Sequence, residues 1–145
     1  MKILLICNSN SSISQMVEGF LKSFDLDLEV YSAGTQPSKA IHPIAIEVMQ
    51  EDFIDISKNS TKHVNDYLHE SFDYAITFNH DTNKPYPIFS GEVKNKINMN
   101  FDDPDEAIGS DDEIRNIYRR IRDEIKNSFF KFYKQISEQK DEKYG

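Results

Sequence analysis

The chain reads as a single-domain α/β protein with a four-stranded parallel sheet and helices on both faces. Three observations point there. Short apolar runs at Ile3 to Ile6, Leu28 to Gly34, Asp73 to Phe78 and Lys96 to Phe101 recur along the chain, the first continuous enough for a strand buried on both faces. Stretches at helical spacing alternate with them, and the connections are long enough for right-handed crossovers. The C-terminal segment keeps a 3.6-residue apolar period over several turns.

The first strand stops at Cys7 and breaks into Asn8-Ser9-Asn10-Ser11-Ser12-Ile13-Ser14. Met16, Val17, Phe20 and Leu21 follow at helical spacing, so the helix spans about Ser12 to Phe24. A loop between a buried strand and a helix aims backbone N–H groups and the positive end of the helix dipole at one point, which suits an oxyanion. Cys7 lies on its edge. A thiol there is expected to have a lowered pKa and to serve as a nucleophile; the other reading is a small core hydrophobe at a strand end.

The second strand ends at Gly34, a residue that permits close backbone approach. Pro43 opens a helix to about Glu51, a position where proline is tolerated. A turn-rich link, 55 to 60, leads to a short helix near Val64 to Glu70 carrying His63 and His69, which do not share a helical face and read as surface histidines rather than ligands. The third and fourth strands flank a loop with Asn79, Pro85, Tyr86 and Pro87. The last helix runs from about Asp111 to Gln139, with Ser110 as its cap and acids in its first turn; its inner face is Ile114, Ile117, Tyr118, Ile121, Ile125, Phe129, Phe132 and Ile136. The domain is taken as residues 1–137, with 138–145 a charged, frayed tail. Ligands of such sheets sit beyond the carboxyl ends of the strands, so Cys7, Ser32, Asn79 and the segment after Phe101 are expected to meet.

Composition sets outer limits. The 145 residues carry a formal charge of −8, with 38% hydrophobic and 29% charged residues. That balance excludes a basic nucleic-acid surface and repels anions at long range, so local dipoles must do the binding. No apolar run reaches membrane-spanning length and no signal peptide is evident, which gives a cytoplasmic expectation. One cysteine excludes an internal thiol relay.

Cys7, Asn10, Ser11, Ser14, Gln15 and Met16 resemble the active-site loop of the low-molecular-weight protein tyrosine phosphatase superfamily, particularly its arsenate reductase branch. Ile13 stands where that loop carries arginine. The resemblance continues through Val30-Tyr31-Ser32-Ala33-Gly34-Thr35, Pro43 with Ala45-Ile46-Glu47, Asp55-Ile56-Ser57, Asp73 to Thr77, Phe101-Asp102-Asp103-Pro104, and Arg119 with Arg122-Asp123-Glu124-Ile125, covering about residues 2 to 135. It implies a flavodoxin-like three-layer sandwich. It also implies Cys7 as nucleophile, the N–H groups of Asn8 to Ser14 as the oxyanion cradle, and Asp103 as general acid on a mobile loop. Phosphate, sulfate or arsenate is the implied ligand, with a phosphoprotein or an external thiol donor as partner. No cofactor is required, but the resemblance adds a potassium ion held by Asn10, Glu18, Ser32 and Ser60.

Two departures shape the functional expectation. Without the loop arginine a bidentate, charge-assisted contact to the anion is lost, unless Arg115, Arg119, Arg120 or Arg122 replaces it. Asn79, Tyr86 and Ser12 stand where the reductases carry further cysteines, so an intermediate on Cys7 would need an external thiol. Tyr86 either stacks on an aromatic phosphoester or stiffens its loop. The first reading is an arsenate reductase-like protein with weak or lost activity. The others are a working phosphatase or thiol-dependent reductase with a recruited cation, and a non-catalytic module binding phosphate or protein.

Overall fold

In the computed structural model, which describes the backbone of residues 1–144 and the side chains through residue 139, the central strand is the first one. β1 (Lys2–Cys7) lies between β2 (Glu29–Gly34) and β3 (Phe72–Phe78), and β4 (Val93–Met99) closes the far edge, giving the parallel order β2-β1-β3-β4. The alternation of a pleated strand explains why β1 is apolar from Ile3 to Ile6: Ile3 and Leu5 enter one core cluster, Leu4 and Ile6 the other.

The two faces are covered unequally. α1 (Ile13–Phe24), α2 (Pro43–Glu51) and α3 (Asp111–Tyr144) share the larger cluster, where Met16, Phe20, Val48, Tyr118, Ile121, Ile125 and Phe129 are buried. The opposite face is covered by a single 3-10 helix, Val64–Tyr67, and by Leu68 and Phe89 from the adjoining loops. Helical segments thus lie on both faces, but one layer is thin.

Three boundaries differ from expectation. β4 begins and ends earlier than 96–101, because Val93 pairs with Phe72 and the polar edge residues Lys94 to Lys96 take their strand geometry from the ladder, not from apolar side chains. Phe101 follows the strand, its ring against Phe78 and Phe129. The helix expected over 64–70 shrinks to one 3-10 turn, and α3 is helical through Tyr144, past the expected end at Gln139. Among the described residues no helix is long and apolar enough to cross a membrane.

Candidate functional site

The turn after β1 is held from outside by backbone hydrogen bonds. The carbonyls of Cys7, Asn8, Ser9 and Ser11 accept the N–H groups of Thr35, Gln36, Ser38 and His42 at 2.8–3.0 Å. Pairing of Cys7 with Gly34 carries the β1–β2 ladder into the loop, and Asn10 adopts the left-handed conformation (φ 55°) that reverses it. With these carbonyls spent on the 35–42 segment, the orphan N–H groups at the start of α1 are the donors left to the loop.

The sulfur of Cys7 is the focus of that turn. It accepts the Asn10 N–H at 2.9 Å and lies 2.9 Å from Ser14 Oγ. These contacts favour the thiolate, but burial outweighs them and pushes the thiol above its ordinary value, with the charge of Asp105 acting in the same direction. The expectation of a lowered pKa is therefore corrected: a nest of neutral donors does not compensate desolvation when no cation adjoins. Ile13, a hydrocarbon side chain buried in the larger core cluster, supplies none.

The four arginines of α3 are engaged elsewhere. Arg115 binds Glu47 and Asp112, and Arg119 binds Glu51. Arg120 bridges Glu124 and Asp102, while Arg122 holds Glu51 and the Val48 carbonyl. None of these contacts reaches the Cys7 loop.

Asp103 caps the 3-10 helix Pro104–Glu106, its Oδ1 accepting the Asp105 N–H at 2.9 Å. Partial burial, with Asp105 and Glu106 nearby, raises its pKa, the direction a general acid requires. The carboxylate that touches the loop is instead Asp105, which accepts Ser11 Oγ and Ser12 Oγ at 2.6 Å each and Tyr118 OH at 2.8 Å. Sequence reasoning missed it. The usable signal was Asp103-Pro104-Asp105, a cap and a first-turn proline that turn the next carboxylate back toward the serines. Ser12 shows the consequence: it stands at the N-cap of α1, makes no capping hydrogen bond, and gives its hydroxyl to Asp105.

Asn10, Glu18, Ser32 and Ser60 do come together, in a network completed by residues the sequence did not single out. Asn10 Nδ2 donates to Ser32 Oγ, Asn10 Oδ1 accepts from Lys62 N and Gln15 Nε2, and the Ser60 carbonyl accepts from Gln15 Nε2 and Lys62 Nζ. Glu18 Oε2 accepts from Asn59 Nδ2, with Lys22 3.5 Å away. A potassium ion drawing on these residues would have to displace the N–H groups that now bond to Asn10 Oδ1, the Ser60 carbonyl and Glu18 Oε2. Among the described residues no group of three or more His, Cys, Asp or Glu could hold a metal.

Beside Cys7, on the thinly covered face, a cleft of about 670 Å³ is lined by Asn8, Thr35, His63, Asn79, Lys84 and Tyr86 among others. Asn79 straps its rim: its side chain donates to the Phe101 carbonyl at 2.7 Å and accepts the Phe101 N–H at 2.9 Å. The Tyr86 ring packs against His80 and Phe89 with the Lys96 ammonium 5.1 Å from its centroid, and its buried hydroxyl has no partner. His63 caps the 3-10 helix, accepting Asn65 N, and His69 is exposed.

The chain was compared with known proteins. The family profile described as low molecular weight phosphotyrosine protein phosphatase matches residues 2–142. An arsenate reductase of Shouchella clausii is 36% identical over 131 residues, covering 90% of this chain and 93% of the relative. One from Bacillus subtilis is 34% identical over 131 residues, with the same two coverages. The solved structure of an arsenate reductase in the phosphate binding state superposes with a TM-score of 0.76 at 27% identity, covering 93% of this chain and 98% of that one.

Proposed function

The chain belongs to the low molecular weight phosphotyrosine protein phosphatase family, and from that premise we propose that it is an arsenate reductase-like member which binds a tetrahedral oxyanion weakly at the Cys7 loop and turns it over slowly or not at all. The observation that carries this reading is the pairing of a well-held sulfur with a cation-free loop. Cys7 receives the Asn10 N–H and faces Ser14, while Ile13 packs into the core and the arginines of α3 are bound to carboxylates.

Phosphoryl or arsenyl transfer begins with in-line attack of a Cys7 thiolate on phosphorus or arsenic. A sulfur bond forms as the bond to the leaving oxygen breaks, and that oxygen takes a proton. Asp103, its pKa raised, is the acid suited to give it. The thiol must first ionise, which its raised pKa opposes. The equatorial oxygens then rely on backbone N–H groups alone; losing one transition-state donor costs about 10²- to 10³-fold. On a chain with one cysteine, a covalent intermediate on sulfur is released by water or by an external thiol. A lone free thiol suits a reducing compartment, and we assign the protein to the cytoplasm.

Hydrolysis of p-nitrophenyl phosphate at mildly acidic pH, beside a Cys7→Ser control, tests the reading, with single-turnover arsenate reduction in excess external thiol as its second arm. Rates at the control level are expected in both. Brisk turnover abolished by Cys7→Ser overturns it in favour of a working enzyme with a recruited cation.

A further inference from the structure

In the anion loop proposed above, the hydroxyls of Ser11 and Ser12 are already taken by an anion that belongs to the protein. Ser11 Oγ donates to Asp105 Oδ2 and Ser12 Oγ to Asp105 Oδ1, both at 2.6 Å; Tyr118 OH adds a third bond at 2.8 Å and Ser9 Oγ a long one at 3.4 Å. The donors are fixed: Ser11, Ser12 and Tyr118 are 4%, 2% and 0% exposed. Asp105 itself rides on a one-turn helix at the surface, so the charge is delivered to a rigid loop from a light, exposed element.

We propose that Asp105 determines which charge the Cys7 loop admits: its carboxylate, seated on the hydroxyls of Ser11, Ser12 and Tyr118, acts as a built-in anion and disfavours an external dianion such as phosphate. The inference rests on the oxyanion reading of the loop and adds a cause for weak binding separate from Ile13. Charge arithmetic supports it. Desolvation works to raise the Asp105 carboxyl, yet the hydroxyls of Ser11, Ser12 and Tyr118, with His42 nearby, hold it below its ordinary value, so it is ionised at neutral pH. Of the other ionisable groups nearby, Asp103 and Glu106 add negative charge, and Asp105 pushes up both the Tyr118 phenol and the Cys7 thiol. A second negative charge entering the loop meets this field over a short distance through a partly desolvated path.

The test is titration of inorganic phosphate into the full chain, followed by backbone amide shifts, for wild type, Asp105→Asn, Asp105→Glu and Tyr118→Phe. Asp105→Asn is expected to bind at least about fivefold more tightly, the order set by removing one like charge at a screened, half-exposed site. Asp105→Glu and Tyr118→Phe keep the charge and stay weak. The pH profile of Cys7 alkylation moves to lower pH in Asp105→Asn, a change that a merely structural role would not produce. Equal phosphate affinity in wild type and Asp105→Asn overturns the inference. If shifts at Asn8 to Ser14 nonetheless appear in wild type, the oxyanion reading stands and only the role of Asp105 falls; if no variant shows them, both fall.

Discussion

Arg122 Nη1 donates to Glu51 Oε1 at 2.7 Å and to the Val48 carbonyl at 2.9 Å, joining α3 to the end of α2 through one guanidinium. The Arg122 side chain is 10% exposed and Asp52 lies 3.6 Å from its Nε, so it serves three acceptors of α2 and its C-cap. Arg122→Met keeps the stem and removes the charge. It is expected to cost about 2 kcal/mol in urea unfolding, below the figure for a fully buried pair because Glu51 is partly solvated. The same variant should leave phosphate binding unchanged, since this arginine faces away from the loop.

Glu51 titrates against that clamp. Hydrogen bonds from Arg119, then from Arg122, lower its pKa from 4.5 to about 2. A folded-state pKa below the unfolded value means that the contribution is complete above about 4.5 and is lost as pH falls toward 2. Melting temperature measured from pH 6 to about 2 should therefore fall less steeply for Glu51→Gln than for wild type below pH 4.5.

The sheet was legible because its signals are local. The buried run Ile3 to Ile6 and the small turn at Gly34 announce a parallel core, and Tyr118, Ile121, Ile125 and Phe129 keep the period of a packed helix. β4 was misplaced because an edge strand of Lys94, Asn95 and Lys96 takes its geometry from Phe72 and Tyr74 across the ladder, which no window along the chain reveals. At the site, the loop around Cys7 could be read from its residue types. The seating of Asp105 could not, because it depends on a contact between positions 93 residues apart. The oxygens of Asn10, Glu18, Ser32 and Ser60 were recognised as neighbours, but not the N–H groups of Gln15, Asn59 and Lys62 that fill them.

Ser14 supports the thiolate through its hydroxyl and its backbone N–H. Ser14→Ala removes the hydroxyl, so the already raised Cys7 pKa should rise further and the thiolate fraction at neutral pH should fall. Iodoacetamide labelling at pH 7.5, read by mass spectrometry, is expected to slow by about three- to tenfold.

Exchange of sodium for potassium probes the network behind the loop. Lys62 Nζ sits 2.7 Å from the Ser60 carbonyl and Asn59 Nδ2 2.9 Å from Glu18 Oε2, so an entering cation has to displace these N–H groups. Melting temperatures in the two chlorides at equal ionic strength should coincide. A potassium-specific rise would show that these N–H groups yield to the ion, and Glu18→Gln should then abolish it.

At Gly34 the sheet and the loop press together. A Cβ at this position would stand 2.6 Å from the Asn8 carbonyl oxygen and 3.2 Å from Asn10 N, both backbone atoms that a rotamer change cannot move. Gly34→Ala must therefore push the loop off β2, straining the bonds from Thr35 N and Gln36 N to the Cys7 and Asn8 carbonyls. Overpacking of this kind costs about 1 to 3 kcal/mol. Gly91→Ala is the matched control: its Cβ would collide with the Glu70 carbonyl oxygen, a clash between the segment before β3 and the loop before β4, away from Cys7. Both variants should melt earlier than wild type, but only Gly34→Ala should alter the pH profile of Cys7 alkylation, because only there does the displaced backbone carry the Asn10 N–H that holds the sulfur. Identical profiles for the two variants would mean that the loop geometry does not depend on its contact with Gly34.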